Sequence, residues 1–303
     1  MTDDSKSPLK KWRVADKKLW LKEQLIKRSY INDVVSRLKT LKSDLLVVKY
    51  GALSYNIEKY PLFIVKSKNW SKSKPTILIT GGVHGYETSG VHGALGFLET
   101  IGNFKDSFNF AVVPCVSPWG YETINRWNPN TLDPNRCFYQ DSPAEESAAL
   151  MDVVANLQGD VFAHFDLHET TDTDNTVFRP ALAARDGIEQ DNWNIPDGFY
   201  TVGDSENPVP AFQKAIITSV KKVTHIAPPD SSGRLIGELM TQEGVINYPV
   251  KKYCLCTGFS NSKYSTTTEV YPDSLNSTPE ECVLAQIAAI SGGLNYLMEN
   301  TLT

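Results

Sequence analysis

The sequence predicts an α/β fold, and three consecutive stretches carry that expectation. Thr76 to Thr80 is a β-branched, apolar run that reads as a buried strand. Ser89 to Ile101 places Val91, Ala94, Leu95 and Leu98 on a helical period, and Phe108 to Val113 reads as the next buried strand. Buried strands on either side of a helix imply a parallel crossover, and in open α/β sheets sites form at the carboxyl ends of such strands. Gly81, Gly82 and Gly85 break the first strand into a turn that delivers His84 and Glu87 together. An imidazole and a carboxylate three residues apart suit zinc, although a first-turn glutamate also favours a helix dipole without any metal.

The other elements are read in order. Residues 1 to 8 are polar and expected to lack order. From Lys6 to Lys49 the chain is rich in Lys and Arg, including Arg28, while Leu19, Leu21, Leu25, Ile26, Val34, Val35, Leu38 and Leu41 recur at helical spacing. Solvated faces of amphipathic helices, running to about Lys42, are therefore expected. The domain reading is a helical extension over 1–45 packed on a catalytic domain over 46–303. Leu45 to Tyr50 and Leu62 to Val65 read as strands. After Pro114 a long irregular stretch, dense in Pro, Asn, Arg and aromatic residues, reads as a functional loop. A helix is expected from about Pro143 to Leu157, and a strand over Val161 to His168 puts Phe162, His164, Asp166 and His168 on one face. Residues 170 to 245 are weakly patterned, with a helix expected at Ala211 to Val223. Lys263 to Tyr271 is a β-branched strand with a single acid, Glu269, and a helix is expected from Pro279 to Met298.

Composition excludes several function classes. At 303 residues and 41% hydrophobic content the chain can bury a large single core. A formal charge of −5 argues against a nucleic-acid or anionic-lipid footprint, and no run of 18 apolar residues is present to span a membrane. The first thirty residues lack an apolar signal-like region. Five scattered cysteines do not form a disulfide framework. A cytoplasmic protein with reduced thiols is expected, and no oligomer interface is assigned.

Strand ends thus supply His84 with Glu87, His168, and Glu269. Two histidines and one carboxylate leave a coordination position open for water, as catalytic zinc sites do, and Glu269 is the candidate general base beside it. Asp166 is open to two readings, an orienter of His168 or a core aspartate. His92, His164 and His225 have no matching partner and read as structural.

The order H-x-x-E, then N-R, then H, then a late E on a strand resembles the zinc metallocarboxypeptidase family and its aspartoacylase and succinylglutamate desuccinylase relatives. The resemblance covers about residues 75 to 272. It implies a mixed, mostly parallel central sheet with helices on both faces and one zinc ion held by His84, Glu87 and His168. It also implies that Asn135 and Arg136, in DPNR, hold a substrate's terminal carboxylate, that Glu269 is the catalytic base, and that Arg126 polarises the scissile carbonyl. A substrate-capping tyrosine is implied some twenty residues before the base, where Tyr248 and Tyr253 both lie. Arg136 suits its part because a planar guanidinium binds a carboxylate bidentately, which lysine does not. The implied partner is a small peptide or an N-acyl amino acid with a free carboxylate. A carboxypeptidase is favoured because the amidohydrolase relatives usually add a β-rich domain after the base, whereas the 34 residues after Glu269 look helical. The short separation of Arg126 and Arg136 keeps the amidohydrolase reading open. A binding module of the same fold without chemistry would lack a ligand or the base, and none is missing.

Overall fold

The computed structural model describes residues 11–41 and 44–301, so the polar start at 1–8 and Lys42 lie outside the described residues. The first half runs α1 (Val14–Glu23), a π turn (Ile31–Val35) continuing into α2 (Ser36–Leu38), β1 (Leu45–Ala52), β2 (Pro61–Ser67), β3 (Thr76–Gly81), α3 (Thr88–Thr100), β4 (Asn109–Val113), α4 (Pro118–Thr123), a 3-10 turn (Pro134–Arg136) and α5 (Glu145–Ala155). The second half runs β5 (Val161–Glu169), a π turn (Asp174–Phe178) with α6 (Arg179–Asp186), β6 (Tyr200–Asp204), α7 (Pro210–Val220), β7 (Arg234–Leu235), β8 (Glu238–Leu239), β9 (Val245–Tyr248), α8 (Cys256–Phe259), β10 (Tyr264–Val270) and α9 (Pro279–Thr301).

Eight strands form one mixed, mostly parallel sheet in the order β1-β2-β4-β3-β5-β10-β6-β9. The expected crossover is present: β3 and β4 pair in parallel on either side of α3. β3 with β5, β5 with β10 and β6 with β9 are also parallel, whereas β1–β2, β2–β4 and β10–β6 are antiparallel. Side chains alternate across a strand, so one run feeds two cores. Ile77 and Ile79 of β3 pack with Val91 and Leu95 of α3 and with residues of α7 and α9, while Leu78 faces Leu150 and Val154 of α5. Helices consequently cover both faces. Among the described residues no helix is long and apolar enough to cross a membrane.

The central strands are parallel and end together, which places Gly81, Glu169 and Val270 along one rim of the sheet. Two close backbone approaches set α3 on the end of β5 and the turn after β3 against α4. A Cβ at Gly90 would lie 2.3 Å from Leu167 O, and one at Gly85 would lie 2.1 Å from Tyr121 N. Only glycine lets α3 settle directly on the strand that carries His168.

Two expectations for the amino-terminal segment are corrected. Val34, Val35 and Leu38 are buried as predicted, but Leu19, Leu21, Leu25 and Ile26 are exposed and α1 buries none of its residues. Tryptophans, not leucines, dock it: Trp20 lies 5.6 Å from Trp127 and 6.2 Å from Trp119 between ring centroids. Arg28, expected on a solvated face, reaches inward, with its guanidinium 4.0 Å above the Tyr121 ring. It donates to Thr88 Oγ1 at 2.6 Å and to Gly85 O and Tyr86 O at 3.0 Å. The long stretch after Pro114, expected to be irregular throughout, contains α4, which is buried along its whole length.

Gly90→Ala tests the close approach of α3 to β5. Overpacking against backbone costs about 1–3 kcal/mol, which lowers Tm by several degrees in a domain of this size. An unchanged Tm in a thermal melt would show that the helix can lift from the strand at no cost.

Candidate active site

The turn after β3 places Glu87 at the N-cap of α3, and Glu169, the last residue of β5, accepts from the first two amides of that helix, Thr88 N at 3.2 Å and Ser89 N at 2.6 Å. A carboxylate at a helix N-terminus satisfies orphan donors and the dipole together. Arg28 fixes the same turn from the opposite side through Gly85 O and Tyr86 O. Glu87 is therefore held by the backbone around it rather than by its own flexibility.

His84, Glu87 and His168 are buried and bring one ligand-type atom each to within 4.8 Å of one another. His84 Nδ1 lies 2.8 Å from Glu87 Oε1, and His168 Nδ1 lies 2.7 Å from Glu87 Oε2. Behind each ring stands a second carboxylate: Asp133 Oδ1 is 2.9 Å from His84 Nε2, and Asp166 Oδ2 is 2.7 Å from His168 Nε2. Both carboxyls are held below the usual range. Burial opposes their ionisation, but for Asp133 the Arg126 and His84 charges override it, and for Asp166 the His168 charge and hydrogen bond do. Ionised carboxylates only accept, so each Nε2 donates to its aspartate; with a cation between the rings and Glu87 each Nδ1 would turn its lone pair to that cation, and without one each Nδ1–H donates to Glu87 and the ring carries the charge.

That arrangement fits a divalent cation. His84 and His168 each meet a carboxylate on both ring nitrogens, an excess of negative charge that protonated rings or a bound cation would balance. Glu87 Oε2 is buried with no hydrogen-bond partner of acceptable geometry among the described residues, and against the opposing effect of burial the charges of His168 and His84 hold the carboxyl down at about 2. Carboxylates around the cluster also outnumber the guanidinium that serves them. Arg126 donates to Asp133 Oδ2 at 3.0 Å and to Asp174 Oδ1 at 3.4 Å. A two-histidine, one-carboxylate donor set is the kind that zinc accepts with a position left open.

Beside this cluster lies a cleft of about 760 Å³. Of the residues singled out in the sequence, Arg126, Arg136, Tyr248 and Glu269 line it. Glu269 sits opposite His168 in the β10–β5 register, and burial pushes its carboxyl up to about 8, the charge of His168 opposing and those of Glu87 and Asp174 adding. A dication in the adjacent cluster would draw it back down. Asn135 is buried under the cleft wall, with its Oδ1 accepting from Cys256 N at 2.7 Å. Arg136 donates to Asn135 O at 2.8 Å, and among the described residues no carboxylate lies within ion-pair distance of it. Tyr248 lines the cleft, whereas Tyr253 packs edge-on behind it at 5.9 Å between ring centroids. His92 and His225 bond within their own surroundings, to Arg37 and Tyr121 and to Asp197. His164 bonds to Thr80 and Ser260.

Several residues escaped the sequence reading. Asp133 bridges His84 and Arg126 and caps the 3-10 turn through Asn135 N at 2.9 Å; an Asp followed by Pro is the local signal for such a cap. Thr170 donates to Glu269 Oε2 at 3.0 Å and exchanges a 2.7 Å hydrogen bond with Tyr200 OH. Thr170 and Asp174 follow His168 in a polar tract that carries no periodicity, and Tyr200 lies in the weakly patterned region. For Asp174 and Tyr200 the sequence offers no signal.

Residues 31–181 match a family described as zinc carboxypeptidase. The chain belongs to the zinc carboxypeptidase family. No curated protein matches it by sequence. Solved structures share the fold at low identity. A metallopeptidase candidate from Shewanella amazonensis SB2B is 20% identical with a TM-score of 0.65, over 91% of this chain and 99% of that one. A metallo-carboxypeptidase from Burkholderia cenocepacia is 16% identical with a TM-score of 0.60, over 88% and 67%. Bovine thrombin-activatable fibrinolysis inhibitor, solved with a tick carboxypeptidase inhibitor, is 13% identical with a TM-score of 0.58, over 92% and 99%. In this family member His84, Glu87 and His168 form a candidate metal site.

His168→Ala is expected to abolish most zinc retention after dialysis, because three protein ligands become two. Undiminished zinc by atomic absorption in that variant would remove His168 from the site.

Proposed function

We propose that this zinc carboxypeptidase family member is a metallocarboxypeptidase that removes the C-terminal residue of a short peptide, working as one catalytic unit whose core includes Tyr30 to Leu38, with the stretch before them as an extension upon it. The observation that carries this reading is Arg136: an exposed guanidinium in the same cleft as Glu269, bonded to a backbone carbonyl and paired with no carboxylate among the described residues. A substrate's terminal carboxylate would complete that fork. His84, Glu87 and His168 would hold one zinc ion. When bound, the metal supplies Lewis acidity, polarising a carbonyl and easing the deprotonation of water.

The chain's own groups do the rest. Arg136 anchors the carboxylate, with Asn135 fixing the backbone beneath it, and Tyr248 closes over the bound residue. Glu269, steadied by Thr170, accepts a proton from the attacking water and delivers it to the departing amine. Arg126, held in place by Asp133 and Asp174, offers its remaining donors to the oxygen that becomes negative.

A second reading, an N-acyl amino-acid amidohydrolase, is favoured by the short Arg126–Arg136 connection, within which Asp133 bonds both Arg126 and His84. Zinc-loaded protein assayed on blocked dipeptides and on N-acetyl and N-succinyl amino acids separates the two. Peptide turnover exceeding that of the acyl amino acids is expected, and the reverse order would favour the amidohydrolase.

Glu269→Gln keeps the shape of the side chain and removes its proton transfer. kcat is expected to fall by about 10²-fold or more with zinc content and Tm nearly unchanged, and wild-type turnover would remove Glu269 from the mechanism. Arg136→Lys replaces the fork by a point charge, weakening substrate binding by about 1.5–3 kcal/mol without loss of stability. Unaltered KM and kcat in that variant would show that the carboxylate is anchored elsewhere.

A further inference from the structure

The segment before the family-matched residues 31–181 reaches the cleft: Lys11, Trp12 and Lys17 line it. This segment contributes almost nothing to the core, since α1 buries none of its residues. It is tied down instead at the cleft, where Trp12 N donates to Arg185 O at 3.2 Å and the Trp12 ring stands edge-on to Trp127 at 6.0 Å. What it adds there is charge. Arg185, stacked 4.6 Å above Trp127, already satisfies Asp186 with two bonds of 2.8 Å. The Arg185 hydrogen bond is the main reason the Asp186 carboxyl lies below its usual range, and the Lys11 and Lys17 charges add to it. Three cations thus surround one aspartate that needs only one of them.

A second observation points to a ligand at the same wall. Thr131 is 1% exposed and lines the cleft, and its Oγ1 is buried without a hydrogen-bond partner among the described residues. Its backbone carbonyl is committed to Arg185 Nη1 at 2.9 Å. A buried hydroxyl without a partner costs free energy that a bound polar group would recover.

We propose that Lys11, Trp12, Lys17 and Thr131 form a substrate subsite for an anionic group: a second carboxylate on a short substrate whose first carboxylate is held by Arg136. The tryptophans supply a flat apolar wall, the lysines the charge, and the threonine a neutral donor. This rests on the hydrolase reading of the cleft for its place in turnover, but the binding it describes can be measured without turnover.

The test uses the full zinc-loaded chain carrying Glu269→Gln, with binding read by calorimetry. The ligands are two matched pairs: N-acetyl-L-glutamate with N-acetyl-L-glutamine, and N-succinyl-L-phenylalanine with its succinamide. At least one acid should bind about tenfold or more tighter than its amide, and the preference should shrink as salt is raised. Lys11→Gln with Lys17→Gln should bring the acid-to-amide ratio to within about twofold of unity, and Lys11→Arg with Lys17→Arg should restore it. No acid preference, or a preference that survives the double glutamine variant, overturns the subsite. Turnover of the same ligands and of blocked dipeptides by wild-type protein is scored separately. A lysine-dependent acid preference without any turnover supports the subsite and defeats the hydrolase reading, whereas turnover without that preference does the opposite.

Discussion

A fully buried carboxylate, Glu87, facing Nδ1 of two imidazoles is the constraint around which the rest of the site is built. Burying an ionised carboxylate is expensive unless its charge is met, and here both oxygens lie within 2.8 Å of ring nitrogens that the surrounding carboxylates have turned towards it. Asp133 and Asp166 fix the rings, Glu169 fixes the helix start, and Arg28 fixes the turn between them. Each of these groups is itself bonded elsewhere, so the geometry is set before any ligand arrives.

The same economy extends into the cleft. Asp133 serves His84, Arg126 and its own 3-10 turn, so the loop that positions Arg126 in the cleft also positions a candidate ligand. Thr170 similarly links Glu269 to Tyr200, which joins the end of β10 to the first residue of β6. The antiparallel β10–β6 pairing makes that link possible, because it returns the chain to the rim where the parallel strands end.

The amino-terminal segment has two distinct parts. Residues near Tyr30 to Leu38 are true core, whereas the stretch before them is held by aromatic edges and by hydrogen bonds to loop carbonyls. A helix docked this way adds little buried surface to the core, and its placement along the cleft is what the proposed subsite draws on.

By itself the sequence determined the crossover β3–α3–β4, the strands that end in His168 and in Glu269, and the closing helix, because buried parallel strands and amphipathic helices write their periods directly into residue order. It also singled out His84, Glu87, His168 and Glu269 at strand ends or in a compact motif, whereas Asn135, Arg136, Arg126 and Tyr248 are marked only through the family resemblance. Only the tertiary structure decided the rest. Arg28 and Trp12 read as ordinary members of a basic, solvated segment, and nothing local says that one reaches the metal turn and the other the cleft. Asp174 and Tyr200 sit where no period exists, and they acquire neighbours solely through pairings of strands and turns far apart in the chain. Hydrophobic pattern is a local property of sequence, whereas the choice of partner for a lone charge or hydroxyl is made by the packed chain.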